Sequence, residues 1–311
     1  MEKKKNILVK EIIHTLILFL AALIWGLAFP FQSIGARYLD GWSFLSIRSI
    51  MSVIVMLPFV IIIDRRRTNG EKDIKTDLLA GALCGGFLCL ASACQQIGIK
   101  YTTAAKSGFI TALYVIFVPI ISLIIFRKKQ PLRLWVSVAL CLLGLYLLCA
   151  RGGLKGFSAG DILTLACAVL FAGQILTVSF FVKKVGAVRL TFLQFAVCAI
   201  ISTAVMAIFS GPSIGQIYKA LPALIYVGVM SSAVGYSLQA IGQKGLNPAV
   251  ASLAMCMESV FSLIGGIFIL GQLPSVREAC GCILMFVAIV IAEVGFPLPR
   301  KERKNGSGKT D

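Results

Sequence analysis

Residues 92–119 read SACQQIGIKYTTAAKSGFITALYVIFVP and contain the end of one apolar helix, a short polar turn and most of the next helix. A weaker copy of its first part follows at residues 236–249, which read YSLQAIGQKGLNPA. Both copies contain the pattern Gln-x-Ile-Gly-x-Lys, which begins at Gln95 and again at Gln239, 144 residues later. Because this offset is close to half of the 311-residue chain, the two copies predict a two-fold internal repeat.

The composition is that of a membrane protein. Hydrophobic residues make up 58% of the chain and charged residues only 14%, and the mean hydropathy is +0.92, whereas soluble domains carry roughly 25% charged residues. Apolar stretches long enough to cross a hydrocarbon core of about 30 Å alternate with short polar turns. The sequence therefore predicts an all-α polytopic membrane protein with ten transmembrane helices: 12–33, 42–63, 77–99, 103–126, 133–150, 160–182, 189–210, 217–241, 247–271 and 276–297.

Positive charge is distributed unevenly between the two sides that ten spans define. Of the 30 Lys and Arg residues, 22 fall on the side of the N-terminus and six on the other side. Because loops rich in Lys and Arg stay in the cytoplasm, we expect both termini to be cytoplasmic in a multi-pass protein of the cytoplasmic (inner) cell membrane. Each half holds five spans, an odd number, so the second half must be inverted relative to the first.

The chain is predicted to divide into two repeats and three connecting or terminal segments. Residues 1–11 form a cytoplasmic N-terminus, 12–150 the first five-helix repeat, 151–159 an external Gly-rich linker and 160–297 the second five-helix repeat. Residues 298–311 form a basic cytoplasmic tail that is expected to be disordered. The net charge of +17 is thus explained by membrane topology, with the lipid bilayer as partner and no nucleic acid.

No feature of the sequence indicates an enzyme, a cofactor or a metal site. All ten cysteines lie within predicted helices, and none forms a CxxC pair or joins the single histidine, His14, at metal-ligand spacing. There is also no Gly-rich phosphate loop. Inverted repeats typically build transporters whose substrate site lies between the halves near the middle of the bilayer. Without an ATP-binding motif, such transport would be secondary: proton-coupled, exchange or facilitated.

Several short motifs, in this order, resemble the drug/metabolite transporter superfamily, specifically its EamA-type members. They are WGLAF at 25–29, FLSIR at 44–48, residues 95–119, Gly160-Asp161 and MESVF at 257–261. The resemblance implies two five-helix repeats, with the first four helices of each around a central cavity and the fifth and tenth helices at the periphery. It also implies movement of small metabolites, often outward. The family often has Glu-Pro where this chain has Glu258-Ser259, so no proline kink is predicted in the ninth span, whereas Pro30 and Pro119 predict kinks in the first and fourth.

Glu258 and Arg48 are the strongest candidates for transport chemistry, because a charge at the centre of a span costs about 2.5–3.5 kcal/mol and usually faces protein or water. Glu258 is the most deeply placed acid of the chain. It either binds a substrate amine or couples transport to protons, or it is a neutral acid hydrogen-bonded between helices. Arg48 either holds a substrate carboxylate through paired donors or reaches the membrane surface or a backbone carbonyl. Lys106 likewise either lines the cavity or extends its side chain to the membrane surface.

The other candidates are aromatic rings, hydroxyls and intramembrane amides. Helical spacing places Tyr114 on one face with Lys106, and the 144-residue offset pairs Tyr114 with Glu258. The amides either line the cavity or only bond helices together, and the aromatic rings either line it or pack. The predicted cavity residues are Trp25, Phe29, Arg48, Ser92, Gln95, Lys106, Tyr114, Gln174, Gln194, Tyr236, Gln239 and Glu258.

The sequence thus predicts a secondary transporter, an alternating-access permease of a small polar or amphipathic metabolite, with export as the expected direction. An amino acid or related compound is the first hypothesis, because the candidates offer both signs of charge to a zwitterion. The aromatic and amide residues would also suit a nucleobase, nucleoside or drug exporter. A non-transporting membrane scaffold or sensor is the alternative from another class, and it does not require the polar residues to converge on one cavity. The oligomeric state stays open.

Overall fold

A computed structural model describes residues 2–65, 73–102, 104–127, 129–149, 158–209, 211–270 and 275–294, and these ranges are almost entirely helical. The predicted linker falls largely, and the predicted C-terminal tail wholly, outside the described residues. The helices are α1 (Glu2–Gly35), α2 (Gly41–Arg65), α3 (Ile74–Gly98), α4 (Ala104–Ala112), α5 (Tyr114–Phe126), α6 (Leu132–Cys149), α7 (Ala159–Val185), α8 (Ala187–Phe209), α9 (Ile214–Ile225), a π-helical segment (Tyr226–Gly235), α10 (Tyr236–Gln243), α11 (Pro248–Met255), α12 (Met257–Leu270) and α13 (Val276–Val294).

These helices have the length and composition of membrane spans. Within the described ranges, seven helical stretches are long and apolar enough to cross a membrane: α1, α2, α3, α4–α5, α7, α8 and the stretch from α9 through the π-helical segment to α10. Two shorter apolar stretches, Leu132–Leu147 and Pro248–Ile264, lie in α6 and α11–α12, and α13 adds a helix of 19 residues. The chain is an all-α polytopic membrane protein, as predicted.

Polar residues at the helix ends explain where several spans begin. The first backbone N–H groups of a helix have no partner within it, and a side-chain oxygen at the N-cap supplies one. Asp73 accepts such a bond from the N–H of Thr76 at 3.2 Å, and the hydrogen bonds from Thr76 also lower the pKa of the Asp73 carboxyl. Ser158 caps α7 in a reciprocal capping box with Asp161, and Ser213 caps α9 in the same way.

The two halves of the chain interlock through equivalent contacts. Helix α3 packs along α7 and α8 of the second half, while its counterpart, the stretch from α9 to α10, packs along α1 and α2 of the first half. Helices α2 and α8 pack against each other, and so do α6 and α13, the fifth and tenth spans. This exchange of equivalent partners is what two repeats of one five-helix unit produce when they face each other.

The fourth and ninth spans are each interrupted at equivalent points. Leu113 separates α4 from α5 with ψ −9°, and Cys256 separates α11 from α12 with ψ −15°, compared with about −42° in a regular α-helix. The N–H of Leu113 bonds to the carbonyl of Ile110 at 3.2 Å, and that of Ser259 to the carbonyl of Cys256 at 3.2 Å, so each break is a tightened 3₁₀-type turn. The interruption of the ninth span has no proline and was not predicted from the sequence.

Close contact between α3 and α8 depends on a glycine. A Cβ atom at Gly85 would lie 2.6 Å from Cβ of Val197 and 2.7 Å from the backbone oxygen of Gln194. The neighbouring Gly86 has no atom within 4 Å of the corresponding position. Gly85 therefore lets one half of the chain approach the other, and Gly86 faces away from this contact.

Gly85→Ala is expected to destabilise the protein by about 1–3 kcal/mol, the range typical of overpacking a close contact. The physical reason is that the added methyl group meets a backbone oxygen, which cannot rotate away as a flexible side chain can. Melting temperature and yield of monodisperse protein in detergent measure the effect. Gly86→Ala is the matched control and should match the wild type or slightly exceed it, because alanine favours the helix over glycine. Equal stability of the two variants would contradict this account of the contact.

Candidate functional site

A cavity of about 50 Å³ lies between the two halves of the bundle. Its wall is contributed by α1, α2, α3, α4 and α5 of the first half and by α7, the π-helical segment, α10, α11 and α12 of the second. Neither α6 nor α13 contributes a lining residue. The first four spans of the first half and three of the first four spans of the second thus surround one central space.

Most of the predicted cavity residues meet at this space. Ser92 and Gln194 are buried next to it without lining it, and the side chain of Lys106 lies outside the described residues. The predicted residues that line the cavity are Trp25, Phe29, Arg48, Gln95, Tyr114, Gln174, Tyr236, Gln239 and Glu258.

The cavity wall also contains residues that the sequence reasoning missed. Gln32 lies seven residues after Trp25 and Thr111 three before Tyr114, so helical periodicity alone would have found both. Ser231 had no such signal, because it belongs to the π-helical segment, where the hydrogen-bond repeat is five residues rather than four. The remaining missed residues are apolar: Ala28, Phe171, Ile175 and Met255.

Arg48 lies in the cavity wall without a charged partner. The residue is only 5% exposed, and its Nε has no hydrogen-bond partner in the part of the chain that the structure describes. The side chain therefore neither reaches the membrane surface nor caps a backbone carbonyl among these residues. Glu258 lines the same cavity, but no ion pair joins the two. The guanidinium group is thus available to an anion inside the cavity.

Glu258 is paired with the residue that occupies its own position in the other half. The hydroxyl of Tyr114 donates to Oε1 of Glu258 at 3.4 Å, across a separation of 144 residues. The thiol of Cys256 donates to the carbonyl of Ala112 at 3.6 Å across the same separation. Residues at equivalent positions of two repeats meet only close to the axis that relates the repeats. The cavity therefore lies at this axis, beside the two interrupted spans.

The amides of the second half are bonded to one another. Nε2 of Gln174 donates to Oε1 of Gln194 at 3.1 Å and to Oε1 of Gln239 at 3.4 Å, and Nε2 of Gln239 donates back to Oε1 of Gln174 at 3.1 Å. In the first half, Nε2 of Gln95 donates to Oγ1 of Thr111 at 3.3 Å. These amides thus bond helices together, one of their two predicted roles, whereas Nε2 of Gln194 has no hydrogen-bond partner among the described residues. The main electrostatic feature of the cavity is that these amides have hydrogen-bond partners, whereas Nε of Arg48 has none among the described residues.

Aromatic rings complete the wall. The rings of Trp25 and Tyr236 lie 4.9 Å apart, and Tyr236 also contacts Phe195 edge to face at 5.2 Å. The indole Nε1 of Trp25 donates to the backbone oxygen of Ser231 at 3.2 Å, which joins α1 to the π-helical segment. The cavity therefore combines flat apolar surfaces with a cation, a carboxyl group and amides.

Comparison with known proteins identifies the family. The sequence model of the EamA-like transporter family matches residues 12–150 and 158–293. The chain belongs to the EamA-like transporter family. Two uncharacterized transporters of Archaeoglobus fulgidus are similar over most of their length: one is 28% identical over 92% of this chain and 87% of its own, the other 24% identical over 89% and 96%. A solved crystal structure covers 90% of this chain and 96% of its own with a TM-score of 0.72, and at 18% identity it shows a shared fold.

In this EamA-like transporter, polar contacts join the two halves at both ends of α3. At the C-terminal end, Oγ1 of Thr102 donates to Oδ1 of Asp161 at 2.7 Å. At the N-terminal end, Arg189 donates to Asp77 at 2.7 Å and also bonds to Asp64. The cavity thus lies between two sets of contacts that hold the halves together.

No resident metal is indicated by the side chains. In the described ranges, no group of three or more His, Cys, Asp or Glu residues has a geometry that could hold a metal ion. Among the described residues, the central cavity contains polar groups that are open to a ligand, Arg48 above all. Its chemistry is that of recognition by charge, hydrogen bonds and ring contacts.

Proposed function

We propose that this EamA-like transporter is a secondary permease that moves a small zwitterionic metabolite, an amino acid or a related compound, by alternating access. The observation that carries the proposal is the buried Arg48, whose guanidinium has no anionic partner among the described residues and lines the same cavity as Glu258. A zwitterion would supply a carboxylate to Arg48 and an ammonium group to Glu258. Neutral or purely cationic substrates would leave Arg48 without a counterion.

The cost of burying an unpaired charge supports a carboxylate-bearing substrate. Removing one partner of a buried ion pair costs about 3–5 kcal/mol, because a charge then stays in a medium that solvates it poorly. A substrate carboxylate can accept two parallel hydrogen bonds from the guanidinium fork. The substrate-free protein thus holds a cation whose natural complement is an anion of small size.

Glu258 supports proton coupling in the same site. A carboxyl group can take up and release a proton in response to the medium that reaches the cavity, and it can bind the ammonium group of a substrate once the proton has left. The hydrogen bond from Tyr114 keeps the carboxyl group of Glu258 oriented across the cavity toward the first half of the chain. A proton and the substrate ammonium group would then compete for one carboxylate, so proton uptake would drive substrate release, which is the basis of proton-coupled exchange.

The size of the cavity supports a closed state within a transport cycle. Ligand sites for small molecules usually measure about 300–1,000 Å³, and this cavity measures about 50 Å³. A metabolite therefore enters only if the halves separate at one end. We propose that residues 12–150 and 160–297 rock as two units, so that the Thr102–Asp161 contact and the Arg189–Asp64–Asp77 contacts open in turn.

The charge count supports an orientation of the protein in the membrane. With 22 of the 30 Lys and Arg residues on one side, we propose a location in the cytoplasmic membrane with both termini in the cytoplasm. The Arg189 contacts then form the cytoplasmic closure and the Thr102–Asp161 contact the outer one. Export of the metabolite is the proposed direction.

Metabolite profiles of the growth medium test the proposal. Strains that lack or overproduce the transporter are compared, and every compound that rises on overproduction is then tested for uptake into proteoliposomes. Small amino-acid-like zwitterions are the expected result. Export confined to nucleobases, nucleosides or hydrophobic drugs would overturn the zwitterion assignment, and absence of any transported compound would favour a scaffold or sensor.

A further inference from the structure

A second and larger cavity lies on the flank of the bundle. It measures about 340 Å³ and is formed by one face of α2, the start of α8 and the stretch from the π-helical segment into α10. We call it the lateral groove, and its lining residues that matter below are Met56, Phe59, Ile63, Val188, Val234 and Leu238.

The lateral groove offers hydrocarbon and no free polar group. Ser237 is its single polar lining residue, and the hydroxyl of Ser237 donates to the carbonyl of Ala233 at 2.7 Å. The floor is buried, with Met56 and Ala233 each 3% exposed, whereas Phe59 on the rim is 58% exposed. Because α2 and α10 belong to membrane spans, the groove opens toward lipid and not toward water.

The π-helical segment explains why the lateral groove exists. Helix α2 packs against this segment and against α8, but it has no extensive contact with α10. The wider hydrogen-bond repeat of a π-helix changes the register of the helix that follows, and π-helical turns often mark functional sites. Beyond the segment, α10 is separated from the last turns of α2, and the space between them is not filled by side chains.

Basic residues lie close in the chain to lining residues of the lateral groove, where α2 ends and α8 begins. Ile63 lies two residues before Arg65 in the last turn of α2. Val188 follows Lys183 and Lys184, which occupy the last turn of α7. All three basic side chains are exposed, and Nζ of Lys184 also lies 4.2 Å from the centre of the Phe180 ring. Arg189 is not part of this set, because it is already bonded to Asp64 and Asp77.

We propose that the lateral groove binds one acyl chain of an anionic phospholipid whose headgroup lies against Arg65, Lys183 and Lys184. An apolar space of this size inside a bilayer loses its dispersion contacts if it stays empty, and lipid hydrocarbon is the material that surrounds it. Clustered basic residues next to a span attract anionic headgroups. Chain and headgroup contacts thus point to the same kind of lipid, on the side of the membrane that carries most of the positive charge.

The lipid would contact the reverse side of the wall of the substrate cavity. Ser231, Tyr236 and Gln239 line the central cavity, whereas Val234 and Leu238 on the same span line the lateral groove. A bound chain would therefore support the π-helical segment from outside. Lipid binding is independent of which metabolite is transported, so it can be tested without knowing the substrate.

Native mass spectrometry tests the site on the full-length protein in detergent. Delipidation is graded by raising the detergent concentration. One phosphatidylglycerol is expected to stay bound to the wild type at detergent concentrations where phosphatidylcholine with the same acyl chains has dissociated. Val234→Trp fills the lateral groove and should abolish this retained lipid, as should Leu238→Trp. Ile54→Trp adds the same ring to a lipid-facing position that is 63% exposed and outside the groove, and it should behave as the wild type. Retention of the lipid by both groove variants would overturn the proposal.

A second measurement needs only a conservative change. Phe59→Trp places a fluorophore on the rim of the lateral groove. Its emission is obtained by subtracting the emission of the wild-type protein from that of the variant. Phosphatidylglycerol with brominated acyl chains should quench this emission several-fold more than brominated phosphatidylcholine at equal mole fraction. Adding Arg65→Gln should reduce this preference for phosphatidylglycerol. Equal quenching by both lipids, as expected for Ile54→Trp, would show that the groove holds only bulk lipid and would refute the selective site.

Discussion

Arg48→Gln is expected to weaken binding of the carboxylate-bearing substrate by about a hundredfold. Each hydrogen bond to a charged group contributes about 1.5–3 kcal/mol, so losing the two bonds of a guanidinium fork costs about 3 kcal/mol or more, and each 1.4 kcal/mol is about a factor of ten. The effect is large because the cavity wall offers no described carboxylate that already satisfies Arg48. The concentration dependence of uptake into proteoliposomes measures it.

Two further arginine variants show whether the loss comes from recognition in the cavity. Arg48→Lys keeps the charge but not the planar fork, so an intermediate loss is expected. Arg189→Gln makes the same change in a guanidinium that is bonded to Asp64 and Asp77 away from the cavity. Arg189→Gln should lower stability and ease opening on the cytoplasmic side, but it removes no group that binds the substrate, so the apparent affinity should change by less than the tenfold that 1.4 kcal/mol represents. An Arg48→Gln variant with wild-type affinity would refute the carboxylate assignment.

Glu258→Gln is expected to remove the stimulation of transport by an imposed pH gradient. The amide keeps the size of the side chain and can still accept the hydrogen bond that Tyr114 donates at 3.4 Å, but it cannot take up or release a proton. Exchange of labelled for unlabelled substrate across the membrane does not require net proton movement, so some exchange should persist. Initial rates in proteoliposomes, with and without a pH gradient of either sign, give the measurement.

The control for this experiment is an acid outside the cavity. Glu278 accepts a hydrogen bond at 2.7 Å from the backbone N–H of Ser275 at the start of α13, so Glu278→Gln should keep the full pH-gradient dependence. Tyr114→Phe retains the carboxyl group of Glu258 and should keep it too, with altered substrate affinity. Full gradient dependence in Glu258→Gln would rule out proton coupling at this residue. Lower affinity with unchanged gradient dependence would leave Glu258 only the role of a substrate ligand.

Some long-range contacts could be predicted from the repeat alone. The 144-residue offset pairs Tyr114 with Glu258, and their side chains are hydrogen-bonded across that same separation. The prediction succeeds because both residues lie close to the symmetry axis, where equivalent positions of an inverted repeat meet. The periodicity of the α-helix would also have placed Gln32 in the cavity wall, since Gln32 follows Trp25 by two helical turns.

Other features of the site leave no mark in a helical pattern. Pro119 predicted a kink in the fourth span, but α5 continues through Pro119 and the interruption is at Leu113, six residues earlier. The ninth span is interrupted at Cys256 without any proline. Ser231 reaches the cavity through a π-helical turn that an α-helical reading places on another face. In each case the backbone adjusts to partners on neighbouring helices, which local propensity does not contain.

The sequence by itself determined the membrane class and the repeat, because the length of apolar stretches, the count of Lys and Arg in the loops and the spacing of a recurring motif are properties of the chain read in order. The tertiary structure alone decided which buried polar groups are satisfied. Gln174 bonds to both Gln194 and Gln239, whereas Arg48 faces the same region without an anionic partner among the described residues. The sequence marks all four residues as polar positions in apolar helices but does not show their partners. Their partners lie on other helices, so only the packing of the helices shows which group is left for a substrate.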